Sequence, residues 1–402
     1  MKTLSNAHQS VASQMKILHL CLGCFYIDNY SYQENMLPKY HKKMGYDVTV
    51  IASLVSFDKN GQQCLLATES EYVCADHYKV IRIDFKPFMR PLNRILKRYN
   101  NTYSLINDEH PDIIFVHGCQ FLDIRYVVKY VRKHRGVRLF VDNHSDVANS
   151  ARNIVSKYIL HRILWRYWAK QIEPYTAKFY GVLPARVEFL KNVYKLPELK
   201  CDLLVIGADD ERVILAKEEI TKRKVRERHN IAMDEFVIIT GGKIDSGKKQ
   251  ILLLIRAISA LRLANVKLLV FGSVTNDLRD ELFALVDNDR IQYIGWLESD
   301  EVYDYFGASD LAVFPGGHSV LWEQAVAVGI PCVFKYWNGM THVDVGGNCK
   351  FIYNDTVEEI SNILIGIIND RDVHSKMKKV AEEKGLKTFS YKEIARRAIQ
   401  LD

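Results

Sequence analysis

The residue types best placed to do chemistry in this sequence are lysines and glycines at strand-to-helix turns. One turn, Gly241-Gly242-Lys243-Ile244-Asp245-Ser246-Gly247-Lys248-Lys249, follows the apolar run Phe236–Thr240. Glycines let backbone amides approach a phosphate closely, and ammonium groups near a helix start neutralise it. A second turn, Pro315-Gly316-Gly317-His318-Ser319, separates the apolar run Leu311–Phe314 from residues that suit a helix from Val320. His318-Ser319 stands at the N-cap position, Gly329 ends the helix and Pro331 forbids its return. The free amides and dipole of such a helix start favour an anion. Glu323, one turn inside, repels phosphate but suits a neutral diol, because each carboxylate oxygen can accept from one hydroxyl. A solvated or salt-bridged surface glutamate is the competing reading.

Histidines add a second group of candidates. His117 and His144 lie just past the runs Asp112–Val116 and Arg138–Val141, and open parallel sheets bind ligands beyond the carboxyl ends of their strands. Asp142 and Asp146 flank His144, which favours a site role; His117 is more readily a packed histidine. From Phe85 to Tyr99 the basic residues Arg90, Arg94, Lys97 and Arg98 alternate with Phe88, Leu92, Ile95 and Leu96. This segment fits either a surface helix with a solvated face or a contact with an anionic membrane or acceptor. Other patterns fall short. Gly242 and Gly247 have P-loop spacing with Lys248 following, but position 249 is Lys and offers no hydroxyl to magnesium. Asp287-x-Asp289 and Asp370-x-Asp372 fall in predicted turns, and Cys21-x-x-Cys24 has no second pair. No metal site is expected.

These residues need a scaffold, and the chain of 402 residues is long enough for two domains. Apolar runs alternate with helical stretches throughout. In the first half the predicted strands are Lys16–Cys21, Asp47–Ala52, Tyr78–Ile83, Asp112–Val116, Arg138–Val141, Lys178–Val182 and Lys200–Gly207. A long helix is expected over 151–175. The charge-dense run Asp209–Glu235 then reads as a linker with a surface helix. Strands resume at Phe236–Thr240, Val266–Phe271, Ile291–Ile294, Leu311–Phe314 and Cys332–Phe334, with a last helix at Tyr391–Leu401. The alternation predicts α/β architecture with two doubly wound, Rossmann-like domains facing a cleft. The loop after Lys16–Cys21 lacks Gly-x-Gly-x-x-Gly, so a dinucleotide site is not expected. A net charge of +7 is too diffuse to suggest nucleic acid but suits phosphate-bearing substrates or anionic head groups. No apolar run reaches the roughly 18 residues of a spanning helix. Residues 1–14 read as a loose leader without the apolar core of a signal peptide. Eight cysteines scattered through apolar runs suit a cytoplasmic protein.

The chain from Met15 onward resembles the GT-B glycosyltransferases, in particular the retaining enzymes of glycosyltransferase family 4. GGKIDSGKKQILLLIRAI resembles that family's diphosphate-binding loop, with Lys243 and Lys248 on its two cations. YIGWLESDEVYDYFGASDLAVFPG is similar to the approach to the donor site, and WEQAVAVGIPCVF to the segment whose glutamate holds the nucleotide ribose, which falls on Glu323. The resemblance implies transfer of a sugar from a UDP- or GDP-sugar to an acceptor such as a polysaccharide or lipid-linked glycan precursor. It implies catalytic roles for His144, Lys243 and Lys248. Donor contacts would come from Gly23, Gly242, Gly272, Trp296, Leu297, Gly317, His318, Ser319, Val320 and Glu323. His117, Arg94, Lys97 and Arg98 would meet the acceptor or the inner face of the membrane. The implied division is 1–14, 15–207, 208–385 and 386–402, the last a helix like FSYKEIARRAI that returns to the first domain. No cofactor is implied beyond the donor substrate. One departure stands out: where the family has the first glutamate of a Glu-x7-Glu motif, position 315 is Pro. His318 or Ser319 would have to replace it. That gap keeps a non-catalytic sugar-nucleotide-binding subunit, or a GT-B epimerase or hydrolase, as alternatives.

Overall fold

The computed structural model describes residues 14–58, 63–146, 155–261 and 265–400. All but the last residue of the expected leader, and the start of the helix expected over 151–175, lie outside them. In chain order the strands of the first half are β1 Lys16–Cys21, β2 Asp47–Ser53, β3 Val55–Phe57, β4 Gln63–Leu65, β5 Ser70–Val73, β6 Lys79–Ile83, β7 Ile113–His117, β8 Arg138–Asn143, β9 Thr176–Gly181 and β10 Cys201–Leu203. Eight of them form one sheet, ordered β10-β9-β8-β7-β1-β2-β6-β5, while β3 and β4 pair as a separate ribbon. The second half contributes β11 Phe236–Gly241, β12 Val266–Phe271, β13 Ile291–Gly295, β14 Leu311–Phe314, β15 Cys332–Lys335 and β16 Cys349–Ile352. They form a sheet ordered β13-β12-β11-β14-β15-β16. Within the sheets every strand pair is parallel except β5 with β6. Helices cover both faces, which is why the inner strands read as unbroken apolar runs rather than alternating ones.

Each sheet presents the carboxyl ends of its strands to the other domain. Two chain segments run side by side where the domains join: Ala208 N–H donates to Phe389 O at 2.7 Å, and Tyr391 N–H to Ala208 O at 3.1 Å. Beside them Asp209 accepts from Lys39 Nζ at 2.5 Å and from Tyr40 O–H at 2.7 Å. The C-terminal helix Tyr391–Ala398 then packs on the first helix, Gln33–Lys43, burying Tyr391, Ile394, Ala395 and Ala398.

Several expectations are corrected. The strand expected over Lys200–Gly207 is only Cys201–Leu203, because residues from Leu204 to Ala208 already belong to the crossing. The linker expected after Asp209 carries two helices, Asp210–Ala216 and Glu219–Arg228. The second buries Arg226 against Asp310 and the carbonyls of Ala232, Met233, Glu235 and Ala308. Phe85–Tyr99 is not one helix. Only Arg90–Leu96 is helical, flanked by left-handed residues Met89 and Lys97, and Phe85 stacks on Tyr99 across an antiparallel bridge. Asp370 is an N-cap, accepting from Asp372 and Val373 amides, and Asp287 accepts from the Asp289 and Ile291 amides within a turn.

Candidate functional site

The two glycine turns of the second domain come together at the carboxyl edge of its sheet. Gly316 lies so close to Lys248 that a Cβ there would sit 3.2 Å from the lysine Cβ; a Cβ on Gly242 would sit 3.9 Å from Lys248 Nζ. Lys248 thus passes between the turns. Thr240, Gly241, Lys248, Phe314, Pro315, Gly316, Gly317 and Ser319 line one small pocket. The Thr240 hydroxyl is buried there without a hydrogen-bond partner among the described residues. Burial pushes the Lys248 ammonium below its ordinary pKa, opposed by Asp245 and reinforced by Lys243. An arriving anion would relieve that desolvation. Lys243 extends into solvent, 65% exposed, with Nζ 3.6 Å from Asp245.

The neighbouring loops are stitched to this cradle. Gly272 adopts φ of +115°, and a Cβ on it would lie 1.8 Å from Gly242 O, so only glycine fits. Its amide donates to Gly295 O at 2.7 Å, and Ile244 N–H donates to Ser273 O at 2.7 Å. That brings Trp296, 47% exposed, and the buried Leu297 to the same edge as Gly242.

The helix behind the second turn is Leu321–Val328, with Val320 rather than His318-Ser319 at the N-cap and no side-chain cap. Gly317 and Ser319 remain in the pocket wall, but His318 turns inward. The opposite face of this helix, on which Glu323 was placed, is not solvated. Glu323 is fully buried, and its Oε1 accepts from His318 Nε2 at 2.8 Å and His342 Nε2 at 2.7 Å. Burial by itself would raise its pKa; His318 first, then His342, reverse this and hold the carboxyl down at about 2. Burial outweighs the carboxylate's pull on His318, whose pKa is lowered, so that ring donates as a neutral imidazole. Both imidazoles thus take Oε1, while Oε2 is buried without a hydrogen-bond partner among the described residues; the next residue, Gln324, reaches across the cleft to donate to Ser31 Oγ at 2.9 Å.

Opposite lies the first domain's edge. His144 Nε2 is 3.4 Å from Asp142 Oδ2 and 3.6 Å from Glu34 Oε1, with the side chain 27% exposed. Burial lowers its pKa, but Glu34 and Asp142 outweigh that and raise it. His117, expected at the acceptor, is fully buried instead. Its Nδ1 donates to Asp142 Oδ2 at 2.7 Å and its Nε2 faces His19. A Cβ on Gly23 would lie 2.4 Å from Gly118 O, so this glycine serves close packing of the two loops. Lys97, expected at the membrane or acceptor, donates to the Gly23 carbonyl, and burial lowers its pKa. Arg98 is likewise drawn in, its Nε buried, whereas Arg94 stays exposed. Arg94 and Ile95 line a cavity of about 410 Å³ with Phe25, Phe85, Lys97 and Tyr99.

Sequence reasoning missed Glu34, Ser31 and His342, none of which belongs to a recognisable local pattern, and Gln324, which sits beside Glu323 in the quoted segment. Two sets, Glu34–His117–His144 and His318–Glu323–His342, bring ligand-type atoms within 4.8 Å of one another. In both, the contacts already described occupy at least one of those atoms.

Residues 235–370 match the sequence family described as “Glycosyl transferases group 1”. No curated protein matches the chain in sequence. Among solved structures, sucrose-phosphate synthase from Thermosynechococcus elongatus is similar at TM-score 0.67 and 14% identity, over 96% of this chain and 97% of that one. HepE from Anabaena, in complex with UDP and glucose, gives 0.65 and 16%, over 96% and 98%. WaaG, a glycosyltransferase involved in lipopolysaccharide biosynthesis, gives 0.60 and 12%, over 95% and 98%. The whole described chain thus has the GT-B fold.

Proposed function

We propose that this GT-B protein transfers a hexosyl residue from a nucleoside-diphosphate sugar to an acceptor, with retention at the transferred carbon. The observation that carries this reading is Lys248. A cation held partly desolvated between two glycine turns, at the carboxyl edge of a parallel sheet, suits a diphosphate. Lys248, with the mobile-length side chain of Lys243 nearby, would neutralise the leaving diphosphate as charge builds in the transition state. Gly242, Gly317, Ser319 and Val320 would offer backbone around it, and no metal is needed for that neutralisation. Gly272 would keep the cradle closed, and Trp296 would offer a face to the base beside Leu297. Glu323 and His318 would shape the cradle from behind rather than touch the ribose. His144, beside Asp142 and Glu34, would meet the sugar or the acceptor hydroxyl. HepE's complex with UDP and glucose supports a UDP-sugar as the first donor to try.

Pro315, in place of an expected glutamate, favours the second reading, a sugar-nucleotide-binding subunit without turnover. The experiment is release of free nucleoside diphosphate from a panel of UDP- and GDP-sugars, with and without glycan or lipid-linked acceptors. Release only with acceptor is expected. Release without acceptor would indicate a hydrolase, conversion of the donor to an epimeric nucleotide sugar without release an epimerase, and binding without either the silent subunit.

For the acceptor side, Phe88, Met89, Leu92 and Ile95 are exposed next to Arg94 and the 410 Å³ cavity. This favours a peripheral contact with an anionic membrane that carries the acceptor, on the cytoplasmic face. Among the described residues no helix is long and apolar enough to cross a membrane.

A further inference from the structure

Three histidines unused by the proposed chemistry form a continuous buried chain across the first domain. His41 Nε2 meets the carbonyl oxygen of Ala395, in the C-terminal helix, at 2.8 Å. His41 Nδ1 meets His19 Nε2 at 3.0 Å, and His19 Nδ1 meets His117 Nε2 at 3.0 Å. His117 Nδ1 closes on Asp142 Oδ2 at 2.7 Å. His19, His41, His117 and Asp142 are all fully buried. Strands β1, β7 and β8 are adjacent in the sheet, which sets His19, His117 and Asp142 in line.

Both ends of this chain are acceptors: a carbonyl oxygen can only accept, and so can a carboxylate. Each hydrogen bond needs one proton between its heavy atoms. The four bonds from Ala395 to Asp142 therefore need four protons, and three neutral imidazoles carry three. Read from the Ala395 end, His41 and His19 are each protonated on Nε2 and accept at Nδ1. His117 is left with protons on both nitrogens. The imidazolium falls beside Asp142, whose Oδ1 accepts from Gly118 N–H at 3.1 Å and whose Oδ2 accepts from Gln33 Nε2 at 3.2 Å, as suits a carboxylate. Remove the Ala395 carbonyl and three bonds remain for three protons, so every ring can be neutral.

We propose that this relay couples docking of the C-terminal helix to uptake of one proton next to the cleft-lining His144. The helix that returns from the second domain thereby sets the charge on the floor of the first domain's site. This goes beyond the sugar-transfer reading and does not depend on it. Other titratable groups facing the relay are Glu34, His144, Cys24 and Cys119 at the Asp142 end, Cys21 beside His117, and Tyr46 edge-on to His41 at 6.1 Å between ring centroids.

The sign follows from the proton count. The docked state binds the extra proton, so docking is strongest at low pH and weakens as pH rises through the docked-state titration. His117 is raised to about 9: burial lowers it, but Asp142 and lesser neighbours outweigh burial. Hydrogen exchange of the Tyr391–Ala398 amides, corrected for intrinsic rates, tests this on the full chain. Protection should fall, by at most about tenfold per pH unit, as pH rises through the docked-state titration, and then level off. His19→Leu interrupts the relay while leaving Asp142, His144 and Glu34 in place, and its profile should be flat. Equal slopes in both proteins would overturn the proposal. Imidazole nitrogen resonances of the wild-type protein, labelled at histidine, give a reading independent of the variant's folding. At pH 7.5 they should show one imidazolium and two Nε2–H rings among the three; three neutral rings with a protected helix would overturn it.

Discussion

The two walls of the cleft handle charge in opposite ways. On the first domain's side, Asp142, His117, His144 and Glu34 satisfy one another, so the charges are compensated before any ligand arrives. On the second domain's side, Lys248 is crowded by glycine turns and pushed down by burial, with no ion pair of its own among the described residues. A buried, mutually paired set gives shape and orientation. A desolvated cation between two glycine turns gives affinity for an anion. On the proposed reading, the diphosphate would belong to the second domain and the positioning of uncharged hydroxyls to the first.

The largest effect should come from removing the two cations of the first glycine turn. Lys243→Ala with Lys248→Ala should cost about 3–6 kcal/mol of nucleoside-diphosphate binding, since each charge-assisted contact contributes about 1.5–3 kcal/mol. Calorimetry would then find affinity lower by at least about a hundredfold; undiminished affinity would remove the diphosphate from this loop.

Next is the buried carboxylate behind the cradle. The Glu323 pKa is depressed to about 2, so its contribution is present above the unfolded value near 4.5 and is lost as pH falls from there toward 2. That window corresponds to about 3 kcal/mol. Chemical denaturation from pH 6 to 3 should show a steeper loss in wild type than in Glu323→Gln. Parallel curves would mean that the two imidazoles do not hold the charge.

Gly272→Ala should cost more than about 1 kcal/mol, because both the positive φ and the contact with Gly242 O resist a Cβ. Donor affinity should fall together with Tm, since the cradle and its neighbouring loop are stitched together. Smallest should be Arg94→Glu with Phe88→Ser, at exposed positions on the first domain. Liposome flotation with anionic vesicles should drop a few-fold while nucleotide binding stays unchanged; unchanged flotation would detach this surface from any membrane.

Sequence reading located the second-domain cradle because its parts are local. Gly241-Gly242-Lys243 and Pro315-Gly316-Gly317 each announce a turn after an apolar strand, and the strand–helix alternation around them follows from burial on both faces of a parallel sheet. The side-chain environments were less legible. Glu323 was read as open on a helix face, yet His342, nineteen positions later, encloses it. Lys97 looked like one cation of a basic face and instead bonds to a loop carbonyl in another part of the domain. His117 ends a strand as a cleft residue would, but, in line with its more ready reading from the sequence, it is packed within a buried chain of imidazoles.

By itself, then, the sequence determined the succession of strands and helices, the two glycine turns and the cations within them. Those depend on nearest neighbours, on backbone freedom at glycine and on the period of apolar residues. Only the tertiary structure decided which polar groups are compensated. His41, His19, His117, Asp142 and the Ala395 carbonyl come from five separate elements, and their protonation is set by the number of acceptors that meet, which no local pattern records.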